Sequence, residues 1–266
     1  MKPILQFFFR RSSWALPYTL FLIMFVVLPL ILIGVYAFMD NQGSFTTENF
    51  LNFIEQPEAV NTFIYSVAIA IVTTFLCILL GYPAAYILSS KEFTNSKTLV
   101  LLFILPMWVN ILIRTLATVS LFDITGIPLG EGALLFGLTY DFLPFMIYPI
   151  YNTMTKIDKN LIEAAQDLGA NQVSVFLKVI LPLSMPGVFS GIMMVFLPTI
   201  STFAISELLT MNDIRLFGSI IQENIMLSDT MNYGAALSLI MLLIIGATSL
   251  FGGDDKDSQI RNESLI

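Results

Sequence analysis

Residues 158–186 read DKNLIEAAQDLGANQVSVFLKVILPLSMP, and this polar stretch between two apolar runs decides the reading of the whole chain. Asn160 can cap a helix, with Glu163 three positions on in the capping-box arrangement. Leu161, Ile162, Ala165 and Leu168 then share one face, and Gly169 suits the left-handed position just past the last turn. Val173, Phe176, Leu177 and Ile180 recur at helical spacing. Pro182 and Pro186 mark the return to apolar sequence, because proline interrupts a helical ladder. The stretch predicts a short amphipathic helix, a glycine elbow and a second helix, together forming a projecting knob.

The sequence on either side is too apolar for water. The 266 residues are 56% hydrophobic and only 12% charged, with a mean hydropathy of +0.83. A soluble domain carries about a quarter charged residues, so much of this surface faces lipid. Crossing the hydrocarbon layer takes about 20 apolar residues. Six runs qualify: 14–38, 62–88, 99–122, 133–154, 186–209 and 233–251. Proline at positions 83, 106, 144, 149 and 198 can kink these spans. The chain divides into an N-terminal segment 1–13, one transmembrane domain 14–251 containing the loop 155–185, and a polar tail 252–266.

Positive charge sets the orientation, since lysine and arginine stay on the cytoplasmic side. With the N-terminus inside, Lys2, Arg10, Arg11, Lys91, Lys97, Lys156, Lys159, Lys178, Lys256 and Arg261 all fall inside. Only Arg215 falls outside, and Arg114 lies within the third run. Six spans return the C-terminus to the cytoplasm. The outer segments hold Asp40, Glu48, Glu55, Glu58, Asp123, Glu131, Asp213, Glu223 and Asp229. That field attracts cations and repels anions.

Several chemistries are excluded. The chain has no histidine and one cysteine, so imidazole catalysis, histidine-ligated metal and an internal disulfide are ruled out. Cys77 lies in an apolar run with no base in view. No internal repeat is evident, which weighs against a secondary transporter built from duplicated halves. The first apolar run is longer than a signal peptide requires and lacks a small-residue cleavage site, so it reads as a retained span.

The knob resembles the EAA loop of permease subunits of ATP-binding cassette importers. In that family Glu-Ala-Ala is followed by three residues, Gly, nine residues, an apolar residue, any residue and Leu-Pro. Here the positions are Glu163-Ala164-Ala165, Gly169, Val179 and Leu181-Pro182. Six fixed positions at about one in fifteen each make an accidental match roughly a one-in-ten-million event per start site. LGYPAAYIL (80–88), LPMWVNILIRT (105–115), GLTYDFLPFMIYPIY (137–151) and FAISELL (203–209) are similar to PotB-type spermidine/putrescine permeases. The resemblance covers about 17–248. It implies an all-α, type I importer permease of about six transmembrane helices with no catalytic residues or cofactor of its own. It further implies ATPase coupling through Glu163, Ala164, Ala165, Asp167 and Gly169. ATP and magnesium belong to the two partner ATPase subunits. A second homologous permease and an extracytoplasmic polyamine-binding protein complete the machine, whose only other partner is membrane lipid and not nucleic acid. Related importers for iron or thiamine share the loop. From another class, an ATP-independent secondary transporter or channel is the alternative.

Charges within the spans are costly unless paired or facing water. Arg114, Asp141 and Glu207 are such charges, and Trp108, Phe203 and Tyr140 lie near them along the runs. They are candidates for a cation path, with Asp141 and Glu207 as counter-charges and the aromatic faces holding ammonium groups. The structural alternative is an Arg114–Asp141 or Arg114–Glu207 pair that only joins helices.

Overall fold

The computed structural model describes residues 16–90 and 96–252. The expected N-terminal segment with Lys2, Arg10 and Arg11, and Lys91, Lys256 and Arg261, lie outside the described residues. The described secondary structure is helical apart from one isolated bridge between Met39 and Phe45. Among the described residues five helices are long and apolar enough to cross a membrane, and counting one bent pair as a single span makes six.

The described backbone forms two compact units. One comprises the residues up to Pro57 with Ile221–Leu243. In it, α1 (Pro17–Ala37) is apolar all round yet almost wholly exposed. Such a helix has no aqueous face and is suited to lipid. Its end is closed by Asn49 on α2 (Glu48–Glu55), whose amide donates to the carbonyls of Ala37 and Met39 at 3.1 and 2.9 Å. Those carbonyls would otherwise be left over at the helix terminus.

The second unit comprises Glu58–Ile220 with the residues from Ile244, and it holds every residue singled out for function. Its described elements are α3 (Pro57–Ser89), α4 (Ser96–Ile104), α5 (Ile111–Thr125), α6 (Glu131–Met154), α7 (Lys159–Asp167), α8 (Gln172–Ser201) and α9 (Ala204–Thr210). Then come α10 (Phe217–Met226) and α11 (Met231–Gly252), which runs through both units. Leu134, Leu138, Met146, Ile147 and Ile150 make α6 the most buried of the spans.

α6 and α8 pack through a glycine seam. A Cβ on Gly187 would lie 2.6 Å from Thr153 Oγ1 and 2.8 Å from the Pro149 carbonyl. One on Gly191 would lie 2.6 Å from Met146 Sδ. Gly187 and Gly191 are four apart on one face, the small-xxx-small spacing that lets membrane helices approach closely. Ser184 continues the stripe, and its hydroxyl meets the Tyr82 hydroxyl at 2.9 Å.

Two predicted spans differ from the structure. The run 99–122 is not one straight helix: the segments Thr98–Trp108 and Ile111–Thr125 meet at 95°. Pro106 has no N–H for the ladder, residues Leu105–Trp108 tighten into a 3₁₀ turn, and Val109 is extended. Asn110 then starts the next helix, its side chain accepting from Leu112 N at 2.8 Å. The run 186–209 is likewise displaced. α8 begins at Gln172, continues through Pro182, Pro186 and Pro198, and stops at Ser201. Thr202 is extended, and 204–210 is a separate short helix. Of the prolines expected to kink spans, only Pro106 sits at a sharp break; Pro83, Pro144, Pro149 and Pro198 lie inside continuing helices.

Candidate functional site

The knob forms, with a start that differs from expectation. Asp158, not Asn160, caps α7: its carboxylate accepts from Asn160 N at 3.0 Å, so Asn160 lies inside the first turn. The capping box is therefore displaced, and Glu163 is free of that duty and exposed. Asp158 caps because its backbone is extended, φ −66° and ψ 126°, as a capping residue requires, whereas Asn160 is already helical.

The elbow is a closed hydrogen-bonded turn. Gly169 has φ +81°, a region that costs a residue with a Cβ about 1–2 kcal/mol. Its N–H donates to Gln166 O at 2.8 Å, and Ala170 N–H donates to Ala165 O at 3.0 Å. These two bonds are the Schellman pair that finishes a helix. Asn171 immediately opens α8, its side chain accepting from Ser174 N at 2.8 Å. Two caps and one elbow thus fix the angle between α7 and α8 without any large core.

The faces of the knob are sorted. Val175 and Ile180 are buried, and Phe176 packs edge-on against Tyr82 and Tyr86 at 5.9 and 5.4 Å. Ile162 and Ala165 are half-buried. Leu161, Ala164 and Leu168 are exposed together, Leu168 by 90%. The expected single apolar face of α7 is therefore split, half turned inward and half outward. Glu163 and Asp167 lie beside the outward half. α8 is 30 residues long, or about 45 Å at 1.5 Å per residue. Its first turns therefore stand clear of a ~30 Å hydrocarbon layer, and the elbow is joined to a spanning helix whose ladder widens into a π turn at Phe176–Ile180.

The charged residues of the spans fall into two groups. Arg114 Nη1 lies 3.2 Å from Asp141 Oδ1, with both side chains buried. Thr115 Oγ1 donates to Asp141 Oδ2 at 3.2 Å, and the Arg114 guanidinium lies 5.9 Å from the Tyr140 ring centre. Here α5 and α6 are joined by an ion pair, as the structural alternative anticipates, and Tyr140 already has its cation. Glu207 and Phe203 form the second group. Phe203 caps α9, Glu207 lies one turn on with its N–H donating to Phe203 O at 3.1 Å, and both are partly exposed. Glu207 makes no ion pair among the described residues. Trp108 belongs to neither group: it ends the 3₁₀ turn, 79% exposed, at the corner of the broken span. The sequence reading missed that corner, although Pro106 followed by the cap residue Asn110 signalled it. It also passed over the spacing of Gly187 and Gly191.

The knob thus stands between apolar spans and is joined to one of them. Residues 78–253 match the family of binding-protein-dependent transport system inner membrane components. The chain belongs to this family. It is 33% identical over 260 residues to the spermidine/putrescine transport system permease protein PotB of Haemophilus influenzae, covering 89% of this chain and 90% of that protein. It is 31% identical over 248 residues to PotB of Escherichia coli strain K12, covering 85% and 90%. Its fold is also that of a chain in the crystal structure of a bacterial ABC transporter involved in the import of the acidic polysaccharide alginate. That likeness has a TM-score of 0.67 at 14% identity and covers 91% and 92% of the two chains. The protein is a multi-pass permease of an ATP-binding cassette importer in the bacterial inner membrane. The expected all-α permease architecture stands.

Proposed function

We propose that this permease carries polyamines, spermidine or putrescine, and that its knob receives one of two ATPase subunits. The observation that carries the coupling role is the Gly169 elbow. It holds Leu168, Ala164 and Glu163 outward, and past it the chain runs through the π turn Phe176–Ile180 of α8 to the glycine seam with α6. Small Ala164 and Ala165 allow close approach of a partner, and Glu163 and Asp167 offer acceptors to its arginines or backbone N–H groups. The knob end is cytoplasmic, as the charge asymmetry requires, and both termini lie on that side. ATP and magnesium are held by the ATPases, so this chain needs no catalytic residues.

The cargo assignment rests on the names of the PotB relatives and on the acidic outer segments. A binding protein delivers the polyamine outside. Glu207, with Phe203 one turn away on the same face, receives an ammonium group at the outer mouth. Trp108 at the corner of the broken span offers a further aromatic face. Closure of the ATPases moves the knob, and α8 carries that motion along α6. A second permease supplies the other half of the pathway.

The test is ATP hydrolysis by the complete transporter in liposomes. Polyamine-loaded binding protein should stimulate it several-fold over the unloaded protein. Stimulation only by another loaded ligand, such as iron or thiamine, would remove the cargo assignment. Cargo uptake that follows an ion gradient without ATPase subunits would remove the coupling role.

A further inference from the structure

Two π turns occur among the described residues, and both stand in the same place relative to a proline. Ile23–Val27 precedes Pro29 in α1, and Phe176–Ile180 precedes Pro182 in α8. Each turn begins six residues before its proline and ends two before it. A proline inside a helix lacks the N–H of the ladder and presses its ring on the carbonyl four residues back. Those carbonyls belong to Phe25 and Lys178, at the centre of each turn, and the widening makes room for the ring. Pro83, Pro144 and Pro198 carry no such turn, so the widening is particular to these two sites. A widened turn loosens the ladder, and a helix bends there under load. In α1 all five residues of the turn are exposed. In α8 the turn lies between the Gly169 elbow and the glycine seam, so a push on the knob must cross it.

One side chain bridges the turn in α8. Tyr82 of α3 sets its ring edge-on to Phe176, the first residue of the turn, at 5.9 Å. Its hydroxyl meets Ser184 Oγ, beyond the last residue of the turn, at 2.9 Å. Ser184 donates its own hydrogen to the Leu181 carbonyl at 2.9 Å, so Tyr82 is the donor across the helices. Ser184 is wholly buried. The base of the bridge is fixed as well. Gly81 lets α3 lie against α6, where a Cβ would be 3.0 Å from Met146 Cγ, and Ala85 is wholly buried. Tyr86, one turn on, adds a second edge-on contact to Phe176 at 5.4 Å. We infer that Tyr82 is a positioning residue: it straps α8 across its π turn to α3, so that knob and span move together instead of flexing at Phe176–Ile180. Packing alone calls for the ring, not for a donor whose acceptor sits on the far side of a loosened turn. This rests on the reading that the knob receives an ATPase subunit, and it adds α3 to the elements that the knob moves.

The test reads the joint and the coupling separately, in the complete transporter carrying Cys77→Ala. Spin labels at Val173 and Phe189, both exposed and on either side of the turn, stand about 24 Å apart at 1.5 Å per residue. Their distance distribution should be narrow, and Tyr82→Ala should broaden it at least twofold. Tyr82→Phe keeps the ring and removes the donor, and Ser184→Ala removes the acceptor. Each should lower cargo-stimulated ATP hydrolysis about threefold or more without changing the unstimulated rate. Together they should do no more than either alone, since both break the same bond. A side chain that only packs would lower Tm and leave the ratio of stimulated to unstimulated hydrolysis as it is. Three results would overturn the assignment: an unchanged distribution in Tyr82→Ala, wild-type stimulation in Tyr82→Phe, or additive losses in the double variant. If Tyr82→Ala does not insert, Tyr82→Phe and Ser184→Ala decide the matter. If ATPase subunits are recovered with the chain and the distribution does not change, the strap fails while the coupling reading stands. If none is recovered with the wild-type chain, both fail.

Discussion

Replacing Gly169 with alanine separates the elbow from everything around it. No atom lies within 4 Å of where the new Cβ would sit, so the substitution has no steric cost. The backbone cost remains: at φ +81° a residue with a Cβ loses about 1–2 kcal/mol. The Schellman pair that opposes this, Gly169 to Gln166 and Ala170 to Ala165, is worth roughly 0.5–1.5 kcal/mol per bond. The two quantities are comparable, so alanine brings the elbow close to opening. A loss of 1–2 kcal/mol lowers the ratio of closed to open knob by a factor of about 5–30. Cargo-stimulated ATP hydrolysis by the reconstituted transporter should fall about fivefold or more, with insertion unchanged. Asparagine tolerates the left-handed region better than alanine, so Gly169→Asn should retain more stimulation. Wild-type stimulation in Gly169→Ala, or equal impairment by alanine and asparagine, would refute the elbow as the source of coupling.

The glycine seam gives a packing prediction. Gly187→Leu must displace Thr153 and the Pro149 backbone and should cost about 1–3 kcal/mol, seen as a lower Tm in detergent. Gly246→Leu, with nothing within 4 Å, should leave Tm unchanged. Asp141→Asn strands the buried Arg114 and should destabilise by about 3–5 kcal/mol; adding Arg114→Gln should restore most of the Tm. Glu207→Gln removes a charged acceptor worth about 1.5–3 kcal/mol, so half-saturation for polyamine uptake should rise about tenfold or more. An unchanged half-saturation would place the ammonium site elsewhere.

The spans and the knob were legible because each depends on local sequence. A run of apolar residues carries its own preference for lipid, and Gly169 states its own backbone conformation. The expected helix ends shifted where two local signals competed. Asp158 and Asn160 can both cap, and only the extended backbone at Asp158 decides between them. The proline signals misled for a related reason. A proline inside a span breaks the helix only where neighbouring groups do not restore the lost bonds, and Pro144, Pro149 and Pro198 lie in helices that run on.

Sequence alone settled the short helix and the glycine elbow of residues 158–171, since every signal there acts over a few residues, whereas the second helix it ended at Pro182 and Pro186 runs on as the spanning helix α8. It could not tell whether Arg114 pairs with Asp141 or Glu207, because separations of 27 and 93 positions along the chain carry no record of which helices become neighbours. Tertiary packing made that choice by setting α5 against α6, so that Arg114 meets Asp141 at 3.2 Å and Glu207 stays partly exposed with Phe203. The same packing put the 95° corner beside α6. A charge in a spanning helix announces that it needs a partner, and only the fold brings one within reach.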